Sequence, residues 1–392
     1  MSEDKDLYSK LGASAEKEDV HDAVKKLDQG LFPEAFCKIV DDISGREDYC
    51  SVFHSDGAGT KASLAYMYYK ETGDISAFKG IVRDAITMNI DDILCIGIPD
   101  KIFLSNTIDR NSKFISGEIL SVIIKEYESY SKKISSLGLP IIPCGGETAD
   151  VGDLVKTLTV NASVFTSLKK EKVINAANIS DSDVIVGLAS FGKAEYEDNY
   201  NSGIGSNGLT LARHGTLSHI YFDKYPECYD QNLDEDIIFF GNHTLSENLK
   251  DSNLTIGEAL LSPTKTYMPV IIETLKSYQK EIHGIIHNTG GGQTKILNFG
   301  SNLRYIKDNL FFIPEIFKVI QKSSNTSWKE MFKVFNMGHR MELICEKDVA
   351  QGIIEIATKY KIDAKVIGYC EKSLNIKNEL RIESEAGDFL YK

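Results

Sequence analysis

Two glycine-rich stretches decide the fold, His54-Ser-Asp-Gly-Ala-Gly-Thr-Lys61 and, further along, Cys144-Gly-Gly-Glu-Thr-Ala-Asp150. Each follows an apolar strand pattern and carries an acid, Asp56 in the first and Glu147 in the second. Glycine lets the backbone approach a ligand, and free N–H groups at such a corner attract phosphate. Carboxylates beside phosphate indicate Mg²⁺, which prefers oxygen ligands. The stretches therefore predict two corners that bind a nucleoside triphosphate with its metal.

The composition excludes several classes of protein. The chain has 44 Lys and Arg against 57 Asp and Glu, and this acidic balance argues against a nucleic-acid partner, which needs basic patches. No apolar run approaches the ~18 residues of a membrane span, and the acidic start is unlike a signal peptide. Seven scattered cysteines without a C-x-x-C pattern fit reduced thiols. We therefore expect a cytoplasmic protein without a nucleic-acid or membrane partner.

Length and hydrophobic pattern predict two α+β domains, 1–168 and 169–392, since 392 residues can bury two ordinary cores. Residues 183–190 begin a strand-rich second half, and the acidic stretches 191–206 and 221–258 read as insertions or surface excursions. The first half alternates strand and helix patterns. Its predicted strands are 49–54, 101–106, 139–144 and 155–166, and its predicted helices are 62–71, 75–96 and 113–136.

Further motifs accompany the glycine-rich stretches in a fixed order. They are Tyr8-Ser-Lys-Leu-Gly12, Ser206-Asn-Gly208, Ser262-Pro-Thr-Lys-Thr-Tyr267, His287-Asn-Thr-Gly-Gly-Gly292 and Val334-Phe-Asn-Met-Gly338. Together the motifs span nearly the whole chain and resemble those of the phosphoribosylformylglycinamidine cyclo-ligase (aminoimidazole ribonucleotide synthetase) family. The S-P-T-K-x-Y and H-x-T-G-G-G pair is more similar to this branch than to its relatives.

The resemblance implies ATP-dependent ring closure of formylglycinamidine ribonucleotide to aminoimidazole ribonucleotide, ADP and phosphate in purine biosynthesis. It implies ATP and Mg²⁺ as cofactors. It also implies a homodimer whose N-terminal mixed sheets, with their helices, form a shared β-barrel, and a C-terminal sheet flanked by helices. Two alternatives stay open. One is another ATP-using member of the superfamily, selenophosphate synthetase-like or thiamine-monophosphate kinase-like, and the other is a non-catalytic ATP-binding regulatory dimer.

Four acids are the predicted metal ligands: Asp56, Asp84, Asp92 and Glu147. In the predicted helix 75–96, Asp84 and Asp91 share one largely apolar face, with Asp92 about 80° further round. A buried carboxylate needs a partner, and Mg²⁺ is one. The alternatives are turn-capping carboxylates on the glycine stretches and a solvent-facing stripe on the helix. The resemblance supports Asp84 and Asp92 at metal–phosphate positions, and Asp56 and Asp92 as catalytic residues.

Basic and small residues complete the predicted nucleotide site. Lys61 reaches a phosphate as a point charge in this interpretation, and Thr60 either bonds phosphate or the ion, or caps the next helix. The resemblance gives Lys26 a catalytic role at the activated oxygen, although Lys26 also reads as an ordinary exposed lysine of an amphipathic helix. The predicted ATP and phosphate contacts are Gly57, Gly59, Thr60, Lys61, Gly145, Gly146 and Thr148.

The predicted ribonucleotide contacts lie in the second half: Ser206, Asn207, Gly208, His287, Thr289, Gly290, Gly291 and Arg340. Ser206 is a natural N-cap for a helix over 207–213, and a helix N-terminus behind glycines suits a ribose 5-phosphate. Plain capping is the alternative. A lone histidine is more often structural, so a functional His287 rests on the resemblance. Trp328, Phe332 and Phe335 have helical spacing and are predicted core.

The chain departs from the family pattern at two places. The histidine usual before Ser-Asn-Gly is Gly205 here, and His339 and Arg340 stand where small or apolar residues usually follow F-N-x-G. We expect His339 and Arg340 to take over part of the missing histidine's work, with Arg340 nearer the substrate phosphate. The alternative is that both are structural and pair with acids of 221–258.

Overall fold

The computed structural model describes residues 6–15, 23–24, 26–375 and 377–392. Two mixed β-sheets with helices confirm the α+β class. The strands of the first sheet are β1 (Val40–Asp41), β2 (Tyr49–Gly57), β3 (Ile102–Arg110), β4 (Ile141–Asp150) and β5 (Leu158–Lys169). Their order is β1-β2-β5-β3-β4, with β3 and β4 parallel and the other neighbours antiparallel.

One face of this sheet packs on helices. The helices of the first half are α1 (Leu7–Lys10), α2 (Lys61–Thr72), α3 (Ala77–Leu94) and α4 (Gly117–Ser135). Every second residue of β5 is buried, as the period of a strand requires, and α3 lies against β2 and β5. The predicted strands and helices of this half are confirmed. The strands run further than predicted because their last residues are polar and carry no apolar signal.

The second glycine-rich stretch is not a corner, and that prediction is wrong. It forms the later part of β4, which stays paired with β3 as far as Asp150. Cys144 and Gly145 oppose the single residue Ser105 in a β-bulge, where Gly145 takes a φ of 82°. A Cβ on Gly146 would lie 2.2 Å from the carbonyl oxygen of Asn106. The bulge and the close strand contact therefore account for glycine at these two positions.

The second half holds a seven-stranded sheet in the order β12-β11-β8-β10-β6-β9-β7. Its strands are β6 (Val184–Ala189), β7 (Ile282–His287), β8 (Leu303–Lys307), β9 (His339–Cys345), β10 (Ala364–Lys372), β11 (Glu379–Ser384) and β12 (Gly387–Tyr391). Its helices are α5 (Leu209–Thr216), α6 (Ile220–Lys224), α7 (Ile256–Leu261), α8 (Met268–Tyr278), α9 (Glu315–Ser324), α10 (Trp328–Val334) and α11 (Ala350–Lys359). The first sheet ends at Lys169 and this one starts at Val184, while the division at 168 stays a prediction.

The aromatic residues of α10 and its surroundings belong to the core, as predicted: Phe332 and Phe335 are buried, and the partly buried Trp328 packs against the core. Every residue of β9 is buried, which fits its place inside the sheet. None of the helices in the described ranges combines the length and the apolar character needed to cross a membrane.

The stretch 221–258 is more than a surface excursion. Its aromatic residues Tyr221 and Phe239 are buried, and it packs on α2 of the first half. Lys224 Nζ lies 2.5 Å from a carboxylate oxygen of Glu71, and Ser63 donates a hydrogen bond to the carbonyl of Cys228 at 3.2 Å. Through these contacts, the segment connects the second half of the chain to the first.

Candidate active site

A cavity of about 1340 Å³ is lined by both halves of the chain. The first half contributes β2 and the end of α3, and the second half contributes the loop after β7 and the start of α5. Of the predicted site residues, the cavity brings together Asp56, Asp92, Asn207, Thr289, Gly290 and Gly291. The sequence therefore located the cavity, although many of its other predicted residues lie elsewhere.

His54 and Asp56 reach the cavity from β2. Two residues apart on a strand, they share one face, while Phe53, which directly precedes His54, points to the opposite face and is 72% exposed. Asp56 Oδ1 accepts a hydrogen bond from the N–H of Gly57 at 2.7 Å. Burial, and then the nearby charge of Asp92, raise the pKa of Asp56. A cation beside this carboxylate would be stabilised.

Asp92 is held between two histidines. His287 Nδ1 donates to Asp92 Oδ1 at 2.6 Å, and His54 Nε2 lies 3.3 Å from Asp92 Oδ2. Burial acts to raise the pKa of Asp92, but the hydrogen bonds from His287 and His54 outweigh it and hold that pKa well below its ordinary value. Both carboxylate oxygens of Asp92 are engaged by histidines, and Asp92 lines the cavity, so its role as a metal ligand stays a prediction.

His54 is hydrogen-bonded through Nδ1 and contacts Asp92 through Nε2. Asn89 Nδ2 donates to the carbonyls of Asp56, Ala85 and Ala162, so Asn89 Oδ1 is the acceptor for His54 Nδ1 at 2.9 Å. Burial opposes the charged ring, but the hydrogen bond and charge of Asp92 outweigh burial and raise the pKa of His54. The protonated form of His54 is therefore favoured in the cavity beside Asp56.

The pKa of His287 is shifted in the opposite direction to that of His54. Arg340 Nε donates to His287 Nε2 at 2.9 Å, so the imidazole accepts on Nε2 and donates from Nδ1 to Asp92. Burial lowers the pKa of His287 to about 4, against the pull of Asp92. This neutral ring lies behind Asp92 and is buried, so we assign it a positioning role. The predicted substrate contact by His287 is corrected accordingly.

Arg340 is an interior residue, which corrects its predicted contact with the substrate. Its guanidinium lies 3.8 Å from Asp91 and 5.2 Å from the centroid of the Tyr267 ring, and it donates to the carbonyl of Lys265. A Cβ on Gly205 would lie 3.4 Å from Arg340 Nη1. The guanidinium thus lies beside the position of the missing histidine, but it pairs with Asp91 rather than with acids of 221–258.

His339 is also buried, with Glu342 and Lys307 as its partners. Glu342 Oε1 lies 2.8 Å from His339 Nε2 and 2.5 Å from Lys307 Nζ. Burial acts to raise the pKa of Glu342, but the charges of Lys307 and His339 outweigh it and lower that pKa to about 2. His339 is therefore structural, as the alternative held, with partners inside the second sheet.

Lys61 and Asp84 pair with each other in the interior, and the predictions for both are corrected. Lys61 Nζ lies 3.0 Å from Asp84 Oδ2 and donates to the carbonyl of Ser262 at 2.6 Å. Asp84 Oδ1 accepts from the backbone N–H and the hydroxyl of Thr264. Because both side chains are fully buried, Lys61 does not reach a phosphate and Asp84 does not face the cavity.

The helix over 207–213 starts later than predicted. α5 begins at Leu209 with Gly208 as its N-cap, and no side chain caps it, so Ser206 is not the N-cap. A Cβ on Gly208 would lie 2.4 Å from the Phe335 ring, which requires glycine for packing. Asn207 lines the cavity, and its buried Oδ1 has no hydrogen-bond partner.

The remaining predicted nucleotide contacts lie off the cavity wall. They are Gly57, Gly59, Thr60, Gly145, Gly146, Glu147, Thr148 and the exposed Lys26. Thr60 does not cap α2, and its hydroxyl lies 3.1 Å from that of Thr210. Glu147 pairs in register with Thr107, three strands from β2. At strand spacings of about 4.8 Å, Glu147 is roughly 14 Å from Asp56 along the sheet, and on its opposite face.

Sequence reasoning missed several residues of the cavity, among them His54, Phe36 and Lys295. Lys295 Nζ donates to Thr289 Oγ1 at 2.6 Å and lies 4.5 Å from the centroid of the Phe36 ring. The strand period, which places His54 on the face of Asp56, was the available signal for His54. No sequence pattern pointed to Phe36 or Lys295, because only the packing of the two halves brings them together.

Two family models match the chain. Residues 36–167 match the model described as AIR synthase related protein, N-terminal domain, and residues 237–377 match the one described as AIR synthase related protein, C-terminal domain. The fold and the cavity thus define a two-domain protein of the AIR synthase related class.

Curated relatives show which family within this class the chain belongs to. The phosphoribosylformylglycinamidine cyclo-ligase of Methanococcus vannielii is 33% identical over 86% of this chain and 82% of its own length. That of Methanocaldococcus jannaschii is 33% identical over 84% of this chain and 80% of its own. The chain belongs to the phosphoribosylformylglycinamidine cyclo-ligase family.

Solved structures share the fold at low sequence identity. A chain of the HypE-HypF complex has a TM-score of 0.55 at 15% identity, covering 96% of this chain and 98% of its own length. AaThiL complexed with AMPPCP and TMP has a TM-score of 0.53 at 10% identity, with coverages of 96% and 97%. At such identities the likeness concerns the fold alone.

Proposed function

We propose that this protein catalyses ATP-dependent ring closure of formylglycinamidine ribonucleotide to aminoimidazole ribonucleotide, releasing ADP and phosphate, in purine biosynthesis. The observation that carries the proposal is the 34% identity to the cyclo-ligase of Methanococcus maripaludis over 86% of the chain. The cavity between the halves provides a place for both substrates, with Asp56 and His54 on one wall and the Thr289-Gly-Gly loop on another.

The reaction needs activation of an amide oxygen, which is a poor leaving group. Transfer of the γ-phosphoryl group of ATP to that oxygen gives an imidophosphate. The amidine nitrogen then attacks the same carbon, so a C–N bond forms, the C–O bond breaks and phosphate leaves. Such a site works by positioning and by neutralising charge, without a protein nucleophile.

The side chains of the cavity suit these tasks. The Lys295 ammonium and, in its protonated form, His54 place positive charge on the wall, where they stabilise anionic oxygens. Asp92 and His287 fix the orientation of His54 through the hydrogen bonds described above. Lys26 stays a proposed contact to the activated oxygen, and Gly57, Gly59, Thr60, Gly145, Gly146 and Thr148 stay proposed phosphate contacts.

Mg²⁺ is the implied metal. The described residues contain no group of three His, Cys, Asp or Glu side chains that could hold an ion. This fits a metal that arrives with the triphosphate, because Mg²⁺ usually takes one or two carboxylates plus phosphate oxygens. Asp56 is the fitting ligand, since its carboxylate faces the cavity and is destabilised there without a cation. Bound Mg²⁺ would neutralise the charge of the triphosphate.

A homodimer is part of the proposal, supported by the uncovered face of the first sheet. Phe53, Phe165 and Phe103 are paired neighbours across three strands on that face, and Phe53 is largely exposed. Apolar patches of this kind are typical of interfaces. Glu147 lies on the same face, too far from Asp56 to share an ion within one chain. A second subunit docked on this face, in the manner of a shared barrel, would bring Glu147 of the partner subunit toward the site.

The cytoplasm is the proposed location, supported by seven cysteines that are all free thiols, six of them buried.

A turnover assay with formylglycinamidine ribonucleotide, ATP and Mg²⁺ tests the function. We expect aminoimidazole ribonucleotide and ADP in equal amounts, dependent on both substrates. ATP binding without cyclisation would contradict the proposal and favour a regulatory dimer. Phosphorylation of thiamine monophosphate or of selenide, without cyclisation, would favour another branch of the superfamily.

A further inference from the structure

One end of the cavity is strongly basic in a protein that is acidic overall. The cavity is lined by five lysines, Lys295, Lys329, Lys333, Lys377 and Lys392, and by two carboxylates, Asp56 and Asp92. In the whole chain, acids outnumber Lys and Arg by 57 to 44. The two carboxylates belong to β2 and α3, whereas Lys329 and Lys333 belong to α10. All five lysines therefore belong to the second half and both carboxylates to the first. Lys295 acts on both carboxylates, and the part of the cavity at α10 is its basic end.

Lys329 and Lys333 are one turn apart on α10. Side chains at this spacing lie on the same face of a helix. Both lysines line the cavity, so the two ammonium groups belong to one wall.

At the basic end of the cavity, helix α10 is held in place by packing against β12. Tyr391 on β12 is buried and donates its hydroxyl proton to the carbonyl of Lys329 at 3.0 Å. Lys329 Nζ lies 5.6 Å from the centroid of the Tyr391 ring, and the rings of Phe332 and Phe389 are 5.7 Å apart. α10 and β12 are therefore packed together, and the lysines extend from a fixed support.

The loop that lines the cavity at this end is also held in place by hydrogen bonds. Asn378 Nδ2 donates to the carbonyls of Leu297, Phe299 and Gly300, and its Oδ1 accepts from the N–H of Leu303. The loop 297–302, five residues of which line the cavity, is thereby held in place.

We propose that Lys329 and Lys333 form a subsite for a phosphate monoester, the 5′-phosphate of the ribonucleotide substrate. The inference rests on the proposed function, in which ATP occupies the end of the cavity near Asp56. It places the ribose phosphate on α10 rather than at the start of α5. A dianionic phosphate suits two ammonium groups on one helix face, and charge-assisted hydrogen bonds to phosphate are among the strongest in proteins.

The test compares two lysine pairs of equal spacing. Lys329→Gln with Lys333→Gln removes the charges on α10 and keeps the side-chain length. The control is Lys318→Gln with Lys322→Gln on α9, a pair that also lies one turn apart but does not line the cavity. Calorimetric titration with ribose 5-phosphate gives the direct readout, and steady-state kinetics give KM for each substrate.

We expect the α10 pair to weaken ribose 5-phosphate binding by about tenfold or more, the effect of some 1.4 kcal/mol. KM for the ribonucleotide should rise by a similar factor, with kcat and KM for ATP within about twofold of the wild type. The control pair should change neither constant. Unchanged ribose 5-phosphate binding in the α10 pair would overturn the proposal. So would a rise confined to KM for ATP, which would place the triphosphate at this end. The calorimetry decides this question even if the wild type does not cyclise the ribonucleotide.

Discussion

His287 and Asp92, 195 residues apart in the chain, are joined by a 2.6 Å hydrogen bond between Nδ1 and Oδ1. This bond connects the end of β7 to the last turn of α3, and so connects the second half to the first. Arg340 donates to the other nitrogen of the same imidazole. Asp92 therefore anchors the His54 ring, and Asp56 lines the same cavity.

Asp56→Asn should abolish turnover without weakening the fold. The amide keeps the shape of the side chain but loses the charge that a cation needs, and we expect activity to fall by about 100-fold or more, as for other preorganised electrostatic groups. Since burial and Asp92 destabilise the Asp56 carboxylate, the melting temperature should not decrease. The control is Asp48→Asn in the loop before β2. Activity near that of the wild type at saturating Mg²⁺ would remove the metal assignment.

His287→Gln should reduce the acid sensitivity of the fold. Burial lowers the pKa of His287 from 6.5 to about 4, so the unfolded chain takes up a proton in this window that the folded protein does not. Stability therefore falls as the pH falls from 6.5 to 4. Between pH 6.5 and 5 the loss is about 2 kcal/mol, at 1.36 kcal/mol per unit.

Urea unfolding at pH 7.5 and pH 5.0 measures this effect. The urea midpoint of His287→Gln should fall less between the two conditions than that of the wild type. His219→Gln, at a half-exposed site, should follow the wild type. Equal pH dependence in all three proteins would show that His287 takes up its proton in the folded state.

Arg340→Met should destabilise the protein by about 3–5 kcal/mol, because it leaves the carboxylate of Asp91 buried without its counter-charge. Burial already raises the pKa of Asp91 to about 7, so the loss should be smaller at pH 6 than at pH 8. Adding Asp91→Asn should recover at least half of the stability. A double-mutant cycle in urea measures the coupling, and additive effects of the two substitutions would contradict the pairing.

Mixing two inactive variants tests whether both subunits of the proposed dimer contribute acids to one active site. Asp56→Asn and Glu147→Gln homodimers should each be inactive. After subunit exchange, about half of the dimers are mixed, and each mixed dimer holds one intact pair of acids contributed by both chains. Activity should recover to about a quarter of the wild type. No recovery, with exchange verified by mass, would place the two acids in separate roles.

Phe53→Glu is the matching test of the interface. A charge on the open face of the first sheet should prevent docking of a second subunit, and light scattering should then give the 43.6 kDa of one chain. Phe312→Glu, an exposed aromatic in the second half, serves as the control. A wild-type protein of 43.6 kDa at micromolar concentration would refute the dimer.

The sequence by itself determined the elements of the first half and the two-sheet α+β architecture. Strand and helix periods are local properties, and the burial of every second residue in β5 and of nearly the whole of α3 follows from them. It also determined the family, because a set of motifs in a fixed order can be recognised in the sequence without knowledge of contacts. Of the site residues predicted from the sequence, Asp56, Thr289 and Gly290 line one cavity.

Only the tertiary structure decided which charged residues face the cavity. Lys61 and Asp84 look like phosphate and metal groups in the sequence, yet they neutralise each other inside the protein. Gly145 and Gly146 look like a phosphate corner, yet they serve a bulge and a close strand contact. Lys329 and Lys333 carry no motif and reach the cavity because β12 packs on α10. A charge can be satisfied by an internal partner or by a ligand, and the sequence does not distinguish the two because the partner lies far away in the chain.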